Sequence, residues 1–199
     1  MKMARWSWML VAALFLGVSA AEAQTAAPGP PMYVGVKRCK TCHNLEKGGG
    51  QFAKWTESKH SKAFEVLASP KALEIAKEKG IADPQKADEC LGCHVTGHGE
   101  PAEKFKESYV AADGVGCESC HGAGSNYLKK STMEGIRGNS MKAEDYGLTL
   151  PTKKTCDKCH NEKATGGKSV EWPTDSTKIA HAIPAGFKRG APAAGATGQ

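Results

Sequence analysis

Large aliphatic and phenylalanine side chains are scarce in this 199-residue chain once its first 23 positions are set aside. Residues 24–199 hold seven Leu, five Ile, seven Val and four Phe, which is 23 of 176 positions or 13%. A chain below roughly 20% is suspected of disorder. Burial of so few apolar side chains does not offset the entropy of ordering the backbone. Strand-like alternation is nearly absent as well, which argues against a β-sandwich or barrel. Cysteine is missing from the N-terminal segment, so a lipid anchor at that end has no chemical basis. A folded state needs a filler other than its own side chains.

The cysteines that are present supply one. All eight lie in four Cys-x-x-Cys-His pentapeptides: Cys39–Cys42–His43, Cys90–Cys93–His94, Cys117–Cys120–His121 and Cys156–Cys159–His160. Two thiols three residues apart share one side of a helical turn, where each can form a thioether to a haem vinyl group. The histidine that follows offers an imidazole to the iron. A zinc knuckle, a redox dithiol or a disulfide needs only the cysteines and is indifferent to the next residue. With seven histidines in the chain, four chance placements have odds on the order of one in a million. The pattern therefore predicts four covalently attached haem c groups. Four flat apolar macrocycles also account for the missing core, so folding and haem loading should be one event.

The N-terminus reads as an export signal. Lys2 and Arg5 open it, Trp6 to Val18 is a short apolar run, and Ala21-Glu22-Ala23 offers a small-x-small cleavage site before Gln24. The run falls short of the about 20 residues that span a bilayer, so no stable membrane insertion is expected after cleavage. The expected organisation is a signal peptide at 1–23, a flexible lead at 24–35, one haem domain at 36–189 and a disordered tail at 190–199. The location is the periplasm or another exported space. The formal charge of +6 falls to about +1 after cleavage and addition of four ferric haems with ionised propionates. Nucleic acid is not an expected partner.

Helix signals are short. Gln51–Ala68, carrying Trp55 and His60, reads as a helix. Ser69-Pro70 caps another that Gly80 ends, and Asp83-Pro84 opens one running into the second motif. Thr152 caps the turn into the fourth motif, Asp113-Gly114 marks a turn before the third, and 175–182 is a last short helix stopped by Pro184. The expected fold is mainly α, with short helices and long loops around a four-haem cluster and little or no sheet. Motif starts are 51, 27 and 39 residues apart, too irregular for a solenoid. The close spacing of Cys90 and Cys117 predicts that their haems are neighbours.

Four histidines serve as proximal ligands, leaving His60, His98 and His181 as candidates for the far side of an iron. Four bis-histidine haems need eight, so at least one iron is five-coordinate or bound by another group. His98 follows His94 by four residues, a span of about 14 Å at most, too short to pass round the rim of its own porphyrin. It should serve a neighbouring haem or none. Met133, Met141, Lys129 and Lys130 are the other potential ligands.

Three stretches carry a family likeness: Lys54 to Ala63, Glu89 to Gly97, and Gly114 to Gly122. Together with the motif order they resemble the tetrahaem cytochrome c-554 family over about residues 36–185. The resemblance implies that His60 and His181 are distal ligands and that the haem on Cys90 and Cys93 is five-coordinate. The family also carries a distal histidine shortly after the third motif, whereas residues 123–137 contain none here. Either His98 substitutes for it, or two haems are open. The expected function is electron transfer between redox protein partners, a donor and an acceptor. The alternative is a haem enzyme acting on nitric oxide, hydroxylamine or nitrite at an open iron. Oligomers are compatible with both. A homopolymeric haem wire is disfavoured, since it still needs two histidines per haem.

Overall fold

The computed structural model describes residues 28–164 and 169–183. Among them are seven short α-helices: α1 Val36–His43, α2 Gln51–Thr56, α3 Pro70–Glu78, α4 Asp88–His94, α5 Cys117–His121, α6 Lys130–Arg137 and α7 Lys153–Asp157. Single 3-10 turns and loops join them. The one strand-like contact among the described residues is an isolated parallel bridge between Tyr33 and Phe105. The fold is mainly α, as the sequence predicts. The expected signal peptide, the tail at 190–199 and the stop at Pro184 lie outside the described residues.

Local chemistry explains most helix ends. Ser69 Oγ accepts the Ala72 amide at 3.2 Å, Pro70 occupies the first helical position, and Gly80 follows α3 with φ of 71°. Thr152 and Thr155 form a reciprocal capping box at α7. Three expected helices are shorter than their sequences suggest. Gln51–Ala68 stops at Thr56 and continues as 3-10 turns at Lys59–Lys62 and Glu65–Ala68. The cause is tertiary: the His60 carbonyl accepts the Val115 amide at 3.1 Å, and Trp55 Nε1 donates to the Val115 carbonyl at 2.8 Å. At Asp83 the side chain caps only a turn, accepting the Gln85 amide at 2.9 Å. Ala87 is extended, so α4 begins at Asp88. The last helix is a 3-10 turn at Asp175–Lys178.

The protein interior is thin. Val34, Val36, Ala63, Leu67, Ala76, Val95, Ala123 and Ile136 are buried, yet no large side chain is completely enclosed among the described residues. Leu45, Leu73 and Leu150 are at least half exposed, Leu150 at 59%. What packs the chain together is mostly polar. The Glu118 carboxylate, 4% exposed, accepts the backbone amides of Val34, Gly35 and Gly124 at 2.7–2.8 Å. It staples the segment before α1 onto α5. Residues 32–35, grouped by sequence with the flexible lead, are thus fixed: Met32 also exchanges hydrogen bonds with Ser125. Tyr33 stacks on Phe105 with centroids 5.2 Å apart, and Phe105 meets Tyr109 at 4.5 Å.

Candidate haem sites

Each Cys-x-x-Cys-His sequence sits on a helical turn. In α1, α4 and α5 the histidine is the last helical residue. At the fourth motif α7 ends at Asp157, and amide bonds from Cys159 and His160 to the Cys156 carbonyl continue the turn. The helical period therefore places both thiols of each motif on one side with the imidazole a turn further on. None of the eight cysteines is in a disulfide.

Two of the motif imidazoles have a fixed tautomer. His94 Nδ1 lies 2.5 Å from the Ala63 carbonyl and His121 Nδ1 lies 3.0 Å from the Thr149 carbonyl. A carbonyl only accepts, so Nδ1 carries the proton and Nε2 keeps its lone pair for a metal. The two carbonyls are outer partners that sequence gives no sign of, because they are backbone groups far from the motifs.

Two of the spare histidines stand opposite motif histidines. His60 faces His160 with ring centroids 6.0 Å apart at 79°, and His181 faces His121 at 6.0 Å and 42°. Two nitrogen–metal bonds of about 2 Å, plus the inner half of each ring, give roughly the same separation. Burial lowers the basicity of His60, with a further push from His160. Burial does the same at His121, partly opposed by the Thr149 carbonyl and aided by His181 and His43. Both imidazoles are thereby kept neutral, the form that ligates iron.

His98 is placed differently. Its Nε2 bonds Asp88 Oδ1 at 3.0 Å, at the start of its own motif's helix. No other histidine ring packs against His43, His94 or His98 among the described residues.

Thiol contacts give the order of the motifs in space. Cys39 lies beside Cys117. Cys93 lies beside Cys159. Cys120 feels Cys156 after burial. The order is first, third, fourth, second. The partner of Cys117 is Cys39 rather than Cys90, because the Glu118 staple pulls the chain before α1 onto α5. The second and third motifs are linked instead through Thr96, whose hydroxyl accepts the Gly116 amide at 2.7 Å.

The residues fit covalently bound haem. Imidazoles oppose one another at an iron-sized gap, and paired cysteines sit on the turns that lead into the motif histidines. No group of three or more His, Cys, Asp or Glu that could hold a bare metal ion forms among the described residues. Motif helices and opposed imidazoles in a thin helical shell define a c-type cytochrome. Comparison with known proteins agrees. A family described as cytochrome c554 and c-prime matches residues 38–122. Cytochrome c-554 of Nitrosomonas europaea is 36% identical over 178 residues, covering 83% of this chain and 72% of that protein. No solved structure matches. The chain belongs to the cytochrome c-554 family, and so is a c-type cytochrome that carries electrons on covalently bound haem c between redox partners. No helix among the described residues is long and apolar enough to cross a membrane.

Proposed function

We propose that this chain is an exported tetrahaem electron carrier, released by cleavage before Gln24, with one haem domain at 36–189. Cys39 and Cys42, Cys90 and Cys93, Cys117 and Cys120, and Cys156 and Cys159 bind the four haems through thioethers. His43, His94, His121 and His160 are the proximal ligands. His60 completes the iron of His160, and His181 completes the iron of His121. The observation that carries this reading is the pair of imidazole gaps, each 6.0 Å.

Bound haem supplies one-electron chemistry at iron. The polypeptide does the rest. Two imidazoles on one iron exclude substrate and hold the site rigid. Carbonyls of Ala63 and Thr149 orient the proximal rings. Thiol contacts favour a relay from the first motif through the third and fourth to the second.

Intact mass of the natively matured protein tests the reading. Four haems and a start at Gln24 are expected, and reductive titration should take up four electrons. Fewer haems with free thiols would refute it. A second reading is a haem enzyme acting on nitric oxide, hydroxylamine or nitrite. It draws on His94, which has no histidine facing it. Turnover of one of these compounds by the purified protein would favour it.

A further inference from the structure

We infer that two irons, not one, are open to external ligands: the iron of His43 as well as that of His94. The inference rests on the four-haem reading. It starts from the fate of the three spare histidines. Two of them are spent on His160 and His121. His98 alone is left to complete His43 or His94, and the structure commits it elsewhere.

The loop that carries His98 is pinned on every side. The Thr96 amide and hydroxyl both donate to the Gly114 carbonyl, at 3.0 and 2.9 Å. The same hydroxyl accepts the Gly116 amide, and Tyr109 donates its hydroxyl proton to the Thr96 carbonyl at 2.5 Å. Gly97 has φ of 70° and packs so closely on Tyr33 and Phe105 that a Cβ there would lie 3.0 Å from the tyrosine ring. The Glu100 amide closes the turn onto the Gly97 carbonyl at 3.0 Å. His98 is thereby turned back toward the first residue of α4, where Asp88 takes its Nε2. That position is beside the second motif's own helix, and the short link from His94 keeps His98 from the far face of that haem.

Two of the other potential ligands are engaged as well. Met141 folds back on Gly135 of α6, its sulfur 2.7 Å from where a Cβ would stand. Lys130 pairs with Glu134 at 3.6 Å. Helix α1 with His43 packs on α5 with His121, and His94 bonds the Ala63 carbonyl beside the turn that carries His60, so each stands at one end, next to an iron capped by two histidines. Each end therefore offers an exchangeable position to a small ligand: a neutral diatomic such as carbon monoxide on ferrous iron, or cyanide on ferric iron. The middle pair only passes electrons.

Carbon monoxide titration of the fully reduced holoprotein tests this. The haem content is fixed first by the alkaline pyridine spectrum. Four haems and two carbon monoxide bound per chain are expected, with half of the ferric haem high-spin in the resting state. His98→Ala and His98→Gln should leave both values unchanged. Four haems with one carbon monoxide would overturn the inference while leaving the tetrahaem reading intact. So would a third binding site created by either His98 variant, or a second high-spin iron created by Met133→Leu in a parent that shows one. Fewer than four haems would instead refute the reading on which it rests.

Discussion

His60, His98 and His181 look alike in sequence, and their surroundings divide them. His60 and His181 meet another imidazole across a gap of 6.0 Å, whereas His98 meets a carboxylate. His60→Ala and His181→Ala should each convert one low-spin iron to high-spin, raising the carbon monoxide count by one. An unchanged electron paramagnetic spectrum in either variant would reject that pairing. Burial also sets a pH dependence. His60 and His121 are both less basic folded than unfolded, so below about pH 6.5 the unfolded chain takes up more protons. Stability is then fully present above that pH and falls as the solution is acidified, and iron ligation acts in the same direction. Melting temperatures at pH 8 and pH 5.5 should show the decline. Glu118 is the residue that sequence reasoning passed over, hidden as a variable position inside Cys117-Glu118-Ser119-Cys120-His121. Its carboxylate is pushed up by burial and pulled back by three amides. Glu118→Gln keeps an acceptor for the Val34 and Gly124 amides but turns a donor toward the Gly35 amide, and should cost about 1–3 kcal/mol, the penalty of a buried unsatisfied group, read by chemical denaturation.

At the scale of elements, the motif helices were legible because five residues fix both their period and their purpose. Ser69-Pro70 and Thr152 were legible too, since a cap is a local device. The helix expected over Gln51–Ala68 was not, because the group that breaks it is Val115, more than fifty residues away. Nor was the pairing of the first motif with the third, which depends on a carboxylate reaching two amides about eighty residues distant. The same contacts aim His60. Gly114 has φ of 74°, and a Cβ there would lie 2.9 Å from the His60 carbonyl. Gly114→Ala therefore strains its own backbone and pushes the 3-10 turn that carries His60. The expected result is a loss of about 1–3 kcal/mol together with a rise in high-spin signal, because His60 is displaced from the iron of His160. A variant that melts early while its spectrum stays unchanged would mean the turn moves without the imidazole.

The whole molecule is a thin polar shell with its apolar filling supplied from outside. Two features of the structure support this. Among the described residues no large side chain is fully enclosed, and leucines at positions 45, 73 and 150 stand open. The staples that remain, at Glu118 and Thr96, bind loops to loops rather than burying much apolar surface. Such contacts contribute only about 0.5–1.5 kcal/mol each, against roughly 1–2 kcal/mol per residue of backbone entropy. Haem attachment must therefore be part of folding, and the loss of one haem should cost different amounts at different places. The third motif contacts the first through Cys39 and the fourth through Cys156. The second contacts the fourth alone through its thiols. Replacing Cys117 and Cys120 by alanine should leave a chain cut by protease throughout, since both neighbours lose their packing. The same change at Cys90 and Cys93 should expose α4 and its flanks first, leaving the fragment around α1 and α5 protected for longer. Limited proteolysis followed by mass mapping distinguishes these outcomes. If either variant resisted digestion like the parent, the haem would be a passenger on a chain that folds without it.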